Sequence, residues 1–92
     1  MPIEVRVPTI LRTYTGGSKA VETTGANVAE AIDNLEDAYT GIKERLVQDD
    51  QVRRFINVYV NDEDIRFSDG LGTALSDGDV VVILPAVAGG SA

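Results

Sequence analysis

The chain has 92 residues, 43% of them apolar, and a net charge of −7, which describes one small folded domain that buries ~60–65% of the surface of its unfolded chain and has little room for a deep, enclosed active site. It contains no cysteine and no histidine, so thiolate or imidazole zinc sites, thiol nucleophiles, the serine–histidine triad and a disulfide framework are excluded. The negative field argues against nucleic acid and anionic membrane as partners; no apolar run approaches the ~20 residues of a membrane span, the start MPIEVRVP carries no signal-peptide pattern, and a cytoplasmic protein is expected.

Ile3, Val5 and Val7 alternate with Glu4 and Arg6, the pattern of a half-buried strand over residues 1–8. Gly16-Gly17 is a turn signal between two extended segments, and residues 19–23 read as a shorter second strand that completes a hairpin. Asn27 followed by Glu30 has the form of a capping box. Val28, Ala31, Ile32, Leu35 and Tyr39 then form one apolar stripe, with Glu30, Asp33, Glu36 and Asp37 off it, so a helix is predicted that stops at Gly41. Residues 41–48 read as a short second helical piece with Ile42 and Leu46 on one side.

A strong strand is predicted over residues 53–62, with Phe55, Asn57 and Tyr59 on one side and Ile56, Val58 and Val60 on the other. A short strand at Ile65–Phe67, a single helical turn at Thr73–Ser76 and a last strand at Asp79–Leu84 complete the chain. The order is β-β-α-β-β-β, an α+β domain over residues 1–85, followed by a flexible tail over residues 86–92.

The last strand carries five consecutive apolar residues, Val80 to Leu84, as strands covered on both faces do. One substantial helix covers one face only. The other face should leave an apolar patch, and such patches mark binding sites; a covering loop is the competing reading. A continuous run does not itself say which alternate residues face outward. The expected docking surface joins Phe55 and Tyr59 to Val80, Val82, Leu84 and Val87.

Three other stretches carry no chemistry. In DGLGTALSDG, Leu75 stands where a dinucleotide-binding loop needs its third glycine, and no Lys-Ser/Thr pair follows for a phosphate loop. Asp62, Glu63 and Asp64 lack the spacing of a calcium loop. Arg53 and Arg54, adjacent on a strand, point to opposite faces and make no anion clamp. Nothing marks the chain as an enzyme, and no bound cofactor or metal is expected.

The terminus PAVAGGSA is different. Pro85 has no N–H and ends a ladder. Gly89 and Gly90 lack a Cβ, so a tail ending there fits a narrow channel and leaves its carbonyl carbon unshielded. With SDGDVVVILP before it, and with PTILR and YVNDEDIRFSDGL, the chain resembles the ubiquitin-like sulfur carriers of the MoaD/ThiS type, and within them those that serve cysteine biosynthesis; Asp77, Gly78, Asp79, Pro85, Val87, Gly89 and Gly90 carry the match.

The resemblance implies a β-grasp (ubiquitin-like) fold: a mixed sheet of four to five strands with one main helix packed on one face. It implies that Gly90 is adenylated by a ubiquitin-activating-type enzyme that uses ATP, and that a sulfur donor such as a rhodanese persulfide then leaves a thiocarboxylate, with Gly89 giving access. It further implies that a PLP-dependent cysteine synthase acting on O-phosphoserine accepts the sulfur, and that a JAMM-type metalloprotease releases the product. The carrier is then a co-substrate, not a catalyst. The small subunit of molybdopterin synthase and a protein modifier are the alternatives, and an inert β-grasp binding module is a third. Ser91 and Ala92 depart from the family pattern; they read as a precursor extension cut between Gly90 and Ser91, as a cloning remnant, or as the mark of a domain that never carries sulfur.

Overall fold

The computed structural model describes residues 2–85. Strand β1 (Ile3–Arg6) pairs antiparallel with β2 (Ala20–Thr23), in the register Ile3 opposite Thr23 to Arg6 opposite Ala20. The alternation in β1 does what its pattern dictates: Ile3 and Val5, with Val7 beyond them, are buried. The connection between β1 and β2 is not extended, however. Thr9–Thr15 winds as a 3-10 helix, closed by the Leu11 N–H donating to the Pro8 carbonyl at 2.9 Å. The Thr15 hydroxyl sits between the Arg12 and Ser18 carbonyls. This winding carries Leu11 into the core, which an extended arm could not do.

Helix α1 (Val28–Ala38) begins as its sequence predicts. The Asn27 side chain accepts from the Glu30 N–H at 2.9 Å, satisfying one of the donors a helix start leaves open, and the Glu30 carboxylate reaches back past the cap to the Ala26 N–H at 3.0 Å. Gly25 must be glycine here: its φ is +156° and a Cβ would stand 2.6 Å from the Ala31 nitrogen. The Glu36 carboxylate accepts from the N–H groups of Gly41 (2.9 Å) and Lys43 (2.8 Å) and so fixes α2 (Ile42–Leu46) to α1. Those two bonds hold the Glu36 carboxyl below its ordinary value. Ile42 and Leu46 are fully buried.

Two turns contain no glycine. Strands β3 (Val47–Gln48) and β4 (Gln51–Val52) form a small separate hairpin through Asp49 and Asp50, at φ 54° and 61°. Strand β5 (Ile56–Val60) turns through Asn61 and Asp62, at φ 50° and 73°, into β6 (Glu63–Asp64). Aspartate and asparagine tolerate this left-handed region because their short side chains bond locally. The strand predicted at Ile65–Phe67 is therefore displaced: β6 ends at Asp64, whose carboxylate accepts from the Arg66 N–H at 2.8 Å, and Ile65–Phe67 is 3-10. Ile65 is buried and Phe67 projects into solvent. The helical turn predicted at Thr73–Ser76 falls instead at Gly70–Gly72, and Ala74 bridges to Asn27 at the start of α1.

Strand β7 (Val80–Pro85) takes the centre. The main sheet has the order β2-β1-β7-β5-β6, with β7 parallel to β1 and antiparallel to β5. Five strands, mixed, with α1 across one face, are the architecture implied by the resemblance. Beneath α1, Val28, Ala31, Ile32 and Leu35 meet Val5, Val58, Val81 and Ile83 in the core. Apolar burial on this scale is the dominant favourable term of folding, at about 1.5–3 kcal/mol for each large aliphatic side chain.

Candidate functional site

The pairing of β7 settles which of its residues face outward. Val81 and Ile83 are buried under α1; Val80, Val82 and Leu84 point to the opposite face. Across the ladder, Val82 lies opposite Tyr59 on one side and beside Arg6 on the other, and Leu84 lies opposite Asn57. Tyr59, Val82 and Leu84, with Asp62, line a shallow hollow of about 210 Å³. Leu84 is 44% exposed. The stripe is bordered by an exposed pair, Arg6 Nε to Glu4 Oε2 at 2.8 Å. Tyr59, Val80, Val82 and Leu84 thus share one uncovered sheet face.

Phe55 does not join them. The Ile56 N–H donates to the Arg53 carbonyl at 3.0 Å, a turn that takes residues 53–55 out of the strand, so β5 starts at Ile56. Phe55, 60% exposed, instead lines an open cleft of about 530 Å³ at the end of the sheet, with Ile10, Tyr14, Arg45, Arg53 and Arg54; the two adjacent arginines, expected on opposite faces of a strand, share this cleft because the turn takes them out of β5. Ile10, Tyr14 and Arg45 come from two further segments, so no local pattern in the sequence announced their meeting.

The two ends of β7 are held differently. At its start, Gly78 (φ +86°) swings the chain so that Asp79 gathers three polar partners. Its carboxylate accepts from Asn61 Nδ2 at 3.0 Å and from the Ser76 N–H at 2.8 Å, and its carbonyl accepts from the Glu4 N–H at 3.1 Å. Asn61 in turn accepts from the Val80 N–H at 3.1 Å. The Asn61 bond first, then the Ser76 bond, hold the Asp79 carboxyl below its ordinary 3.8. A carboxyl depressed in the folded state stabilises above its unfolded value and loses that contribution as pH falls through the folded one. Asp79→Ala is therefore expected to cost about 1 kcal/mol near neutral pH, and the gap from the parent in urea midpoint should close at acid pH below 3.8. A gap that stays constant across that range would show that the carboxylate's charge plays no part.

At its other end β7 closes at Pro85, opposite Ile56. With no N–H, Pro85 cannot donate to a continued ladder. Val87, Gly89, Gly90 and the Gly90–Ser91 junction lie outside the described residues. Among the described residues there is no cluster of three or more acidic side chains that could hold a metal ion, and no helix is long and apolar enough to cross a membrane.

The model of the ThiS family matches residues 5–90. The sulfur carrier protein CysO of Mycobacterium tuberculosis is 54% identical over 93 residues, covering 98% of this chain and all of that one. Small archaeal modifier protein 3 of Haloferax volcanii is 42% identical over 65 residues, 71% of each chain. Among solved structures, one from the Amycolatopsis orientalis BexX/CysO complex superposes with a TM-score of 0.90 at 59% identity, covering 92% of this chain and 96% of the other.

Proposed function

The chain belongs to the ThiS family, and from that membership we propose that it is a sulfur carrier whose Gly90 carboxyl, freed by removal of Ser91 and Ala92, becomes a thiocarboxylate. The observation that carries this is the likeness to CysO over nearly the whole chain, together with a family match that runs through both terminal glycines. In the first step the Gly90 carboxylate attacks the α-phosphorus of ATP on an adenylating enzyme and pyrophosphate leaves. A persulfide sulfur then displaces AMP, and a thiol reduces the acyl disulfide to the thiocarboxylate. The sulfur passes to carbon derived from O-phosphoserine on a PLP-dependent synthase. The product is held in amide linkage on Gly90, and a JAMM-type metalloprotease hydrolyses that amide.

The chain's own contribution is to present, not to catalyse. The central strand β7 fixes the root of the tail between two neighbours, and the face of Tyr59, Val80, Val82 and Leu84 offers partners an apolar seat. With no cysteine in the sequence, no internal thiol competes for the activated acyl group.

Reconstitution tests the reading. The chain ending at Gly90, mixed with the adenylating enzyme of its own organism, ATP and a persulfide donor, is expected to gain the mass of one oxygen-to-sulfur exchange. The chain ending at Ala92 is expected to gain none until the protease is added. If neither form consumes ATP, the carrier reading fails. The likeness to the modifier protein favours a second reading, attachment of Gly90 to lysines of other proteins; its signature is a ladder of covalent conjugates on a denaturing gel. Lys19 and Lys43 are the only lysines of this chain, so chains built on itself would branch at no other lysine.

A further inference from the structure

The cleft beside Phe55 is cationic in an acidic protein. Three of the eight basic residues of the sequence, Arg45, Arg53 and Arg54, line it, and no carboxylate does among the described residues. The arginines are held by neutral groups. Arg45 donates to the Tyr14 hydroxyl at 2.6 Å and stands 5.8 Å from the centre of that ring. Arg53 donates to the Glu44 carbonyl at 2.7 Å and to Gln48 Oε1 at 3.1 Å. Arg54 stands 6.0 Å from the centre of the Phe55 ring. Elsewhere on the described surface Arg6 is paired with Glu4 and Lys43 with Asp33, while Arg12 and Arg66 donate singly to the Val7 and Ile56 carbonyls; only in this cleft do three guanidinium groups gather. Here the guanidinium positions are set by bonds and ring contacts while their charge is left for an outside anion. Ile10 and Phe55, 61% and 60% exposed, add an apolar anchor point.

We propose that this cleft seats an acidic segment of the adenylating enzyme, with carboxylates on the arginines and an apolar side chain between Ile10 and Phe55. The proposal rests on the carrier reading above. Two facts favour that occupant. Guanidinium forks pair bidentately with carboxylates, and pre-set forks lose little entropy in doing so. The cleft also includes Ile56, the residue paired with Pro85, so it borders the place where the tail leaves the sheet. A partner seated there and on the Leu84 face grips the tail root from two sides. A local positive field on a chain of charge −7 also orients the encounter of an acidic segment.

Steady-state pyrophosphate release by the adenylating enzyme, with the chain ending at Gly90 as substrate, tests it. Arg54→Glu is expected to raise KM about tenfold with kcat unchanged and to flatten the dependence of KM on salt. Arg54→Lys, which keeps the charge but not the fork, should fall between. Lys19→Glu imposes the same change of net charge away from the cleft and should stay within about twofold of the parent. Arg45→Gln, melting as the parent does, should also raise KM. If Arg54→Glu and Lys19→Glu shift KM alike, the cleft is not a seat and the carrier reading stands. If the parent chain ending at Gly90 releases no pyrophosphate, the carrier reading itself falls and takes the cleft's role with it.

Discussion

Val81→Asp is expected to destabilise the domain severely, while Val82→Asp, one residue on, is expected to leave its stability intact and to disable it as a substrate. Val81 is 4% exposed among Val5, Val58 and the α1 stripe. A carboxylate there has no partner, and an uncompensated buried charge costs about 3–5 kcal/mol or drives protonation at a similar penalty. Native domains hold only about 5–15 kcal/mol in all, so this is a large fraction of the total, and the melting temperature should fall by roughly 12–40 °C. Val82 faces outward beside Arg6 and opposite Tyr59. An aspartate there is solvated and has a cation at hand, so its melting temperature should stay near that of the parent. If the outer face docks partners, the same change places a charge at the centre of an apolar contact. Central contacts are worth about 2 kcal/mol or more, some 30-fold in KM for the adenylating enzyme. Thermal melts and the pyrophosphate assay separate the two effects. Unaltered turnover of Val82→Asp would remove the outer face from the docking surface, and a native melt of Val81→Asp would contradict the facing of β7.

That pair also shows where sequence stops. The run Val80–Leu84 has no alternation, so its parity is invisible locally. Parity comes from the neighbours: β1 and β5 carry their own polar–apolar alternation, and the register that places Val82 beside Arg6 and Tyr59 passes their facing to β7. By contrast the cap and stripe of α1 are legible because both are local signals, while its end is not: the helix closes at Ala38 with Tyr39 as its C-cap, and Gly41, the expected stop, instead caps the start of α2. The turns at Asp49-Asp50 and Asn61-Asp62 were harder. Without glycine or proline they look like charged ends of strands, and the second shifted the short edge strand by two residues. The 3-10 winding at Thr9–Thr15 is tertiary in origin, since it exists to bring Leu11 under the sheet. Carrying the alternation of β5 back to Phe55 runs past a turn that no residue type announces.

Gly89→Val, made in the chain ending at Gly90, is expected to slow adenylation at least 100-fold while the domain melts as before. The magnitude follows from geometry at a reacting centre, where a misplacement of about 1 Å costs on the order of 100-fold. Valine adds a branched Cβ next to the residue whose carboxylate must reach the α-phosphorus of ATP, and it narrows the backbone angles that glycine leaves open. The change lies past Pro85, where β7 ends, so it removes nothing from the described core. Its effect should therefore appear in kcat, with KM nearly kept, because the sheet face and the arginine cleft still meet the partner. Val82→Asp and Arg54→Glu should show the reverse split. The contrast divides the molecule into a scaffold that is recognised and a tail that reacts. A Gly89→Val chain that is adenylated at the parent's rate would mean that the bare backbone at this position is not needed for the chemistry, and the proposed role of the glycine pair would fail while the fold and its docking surfaces stood.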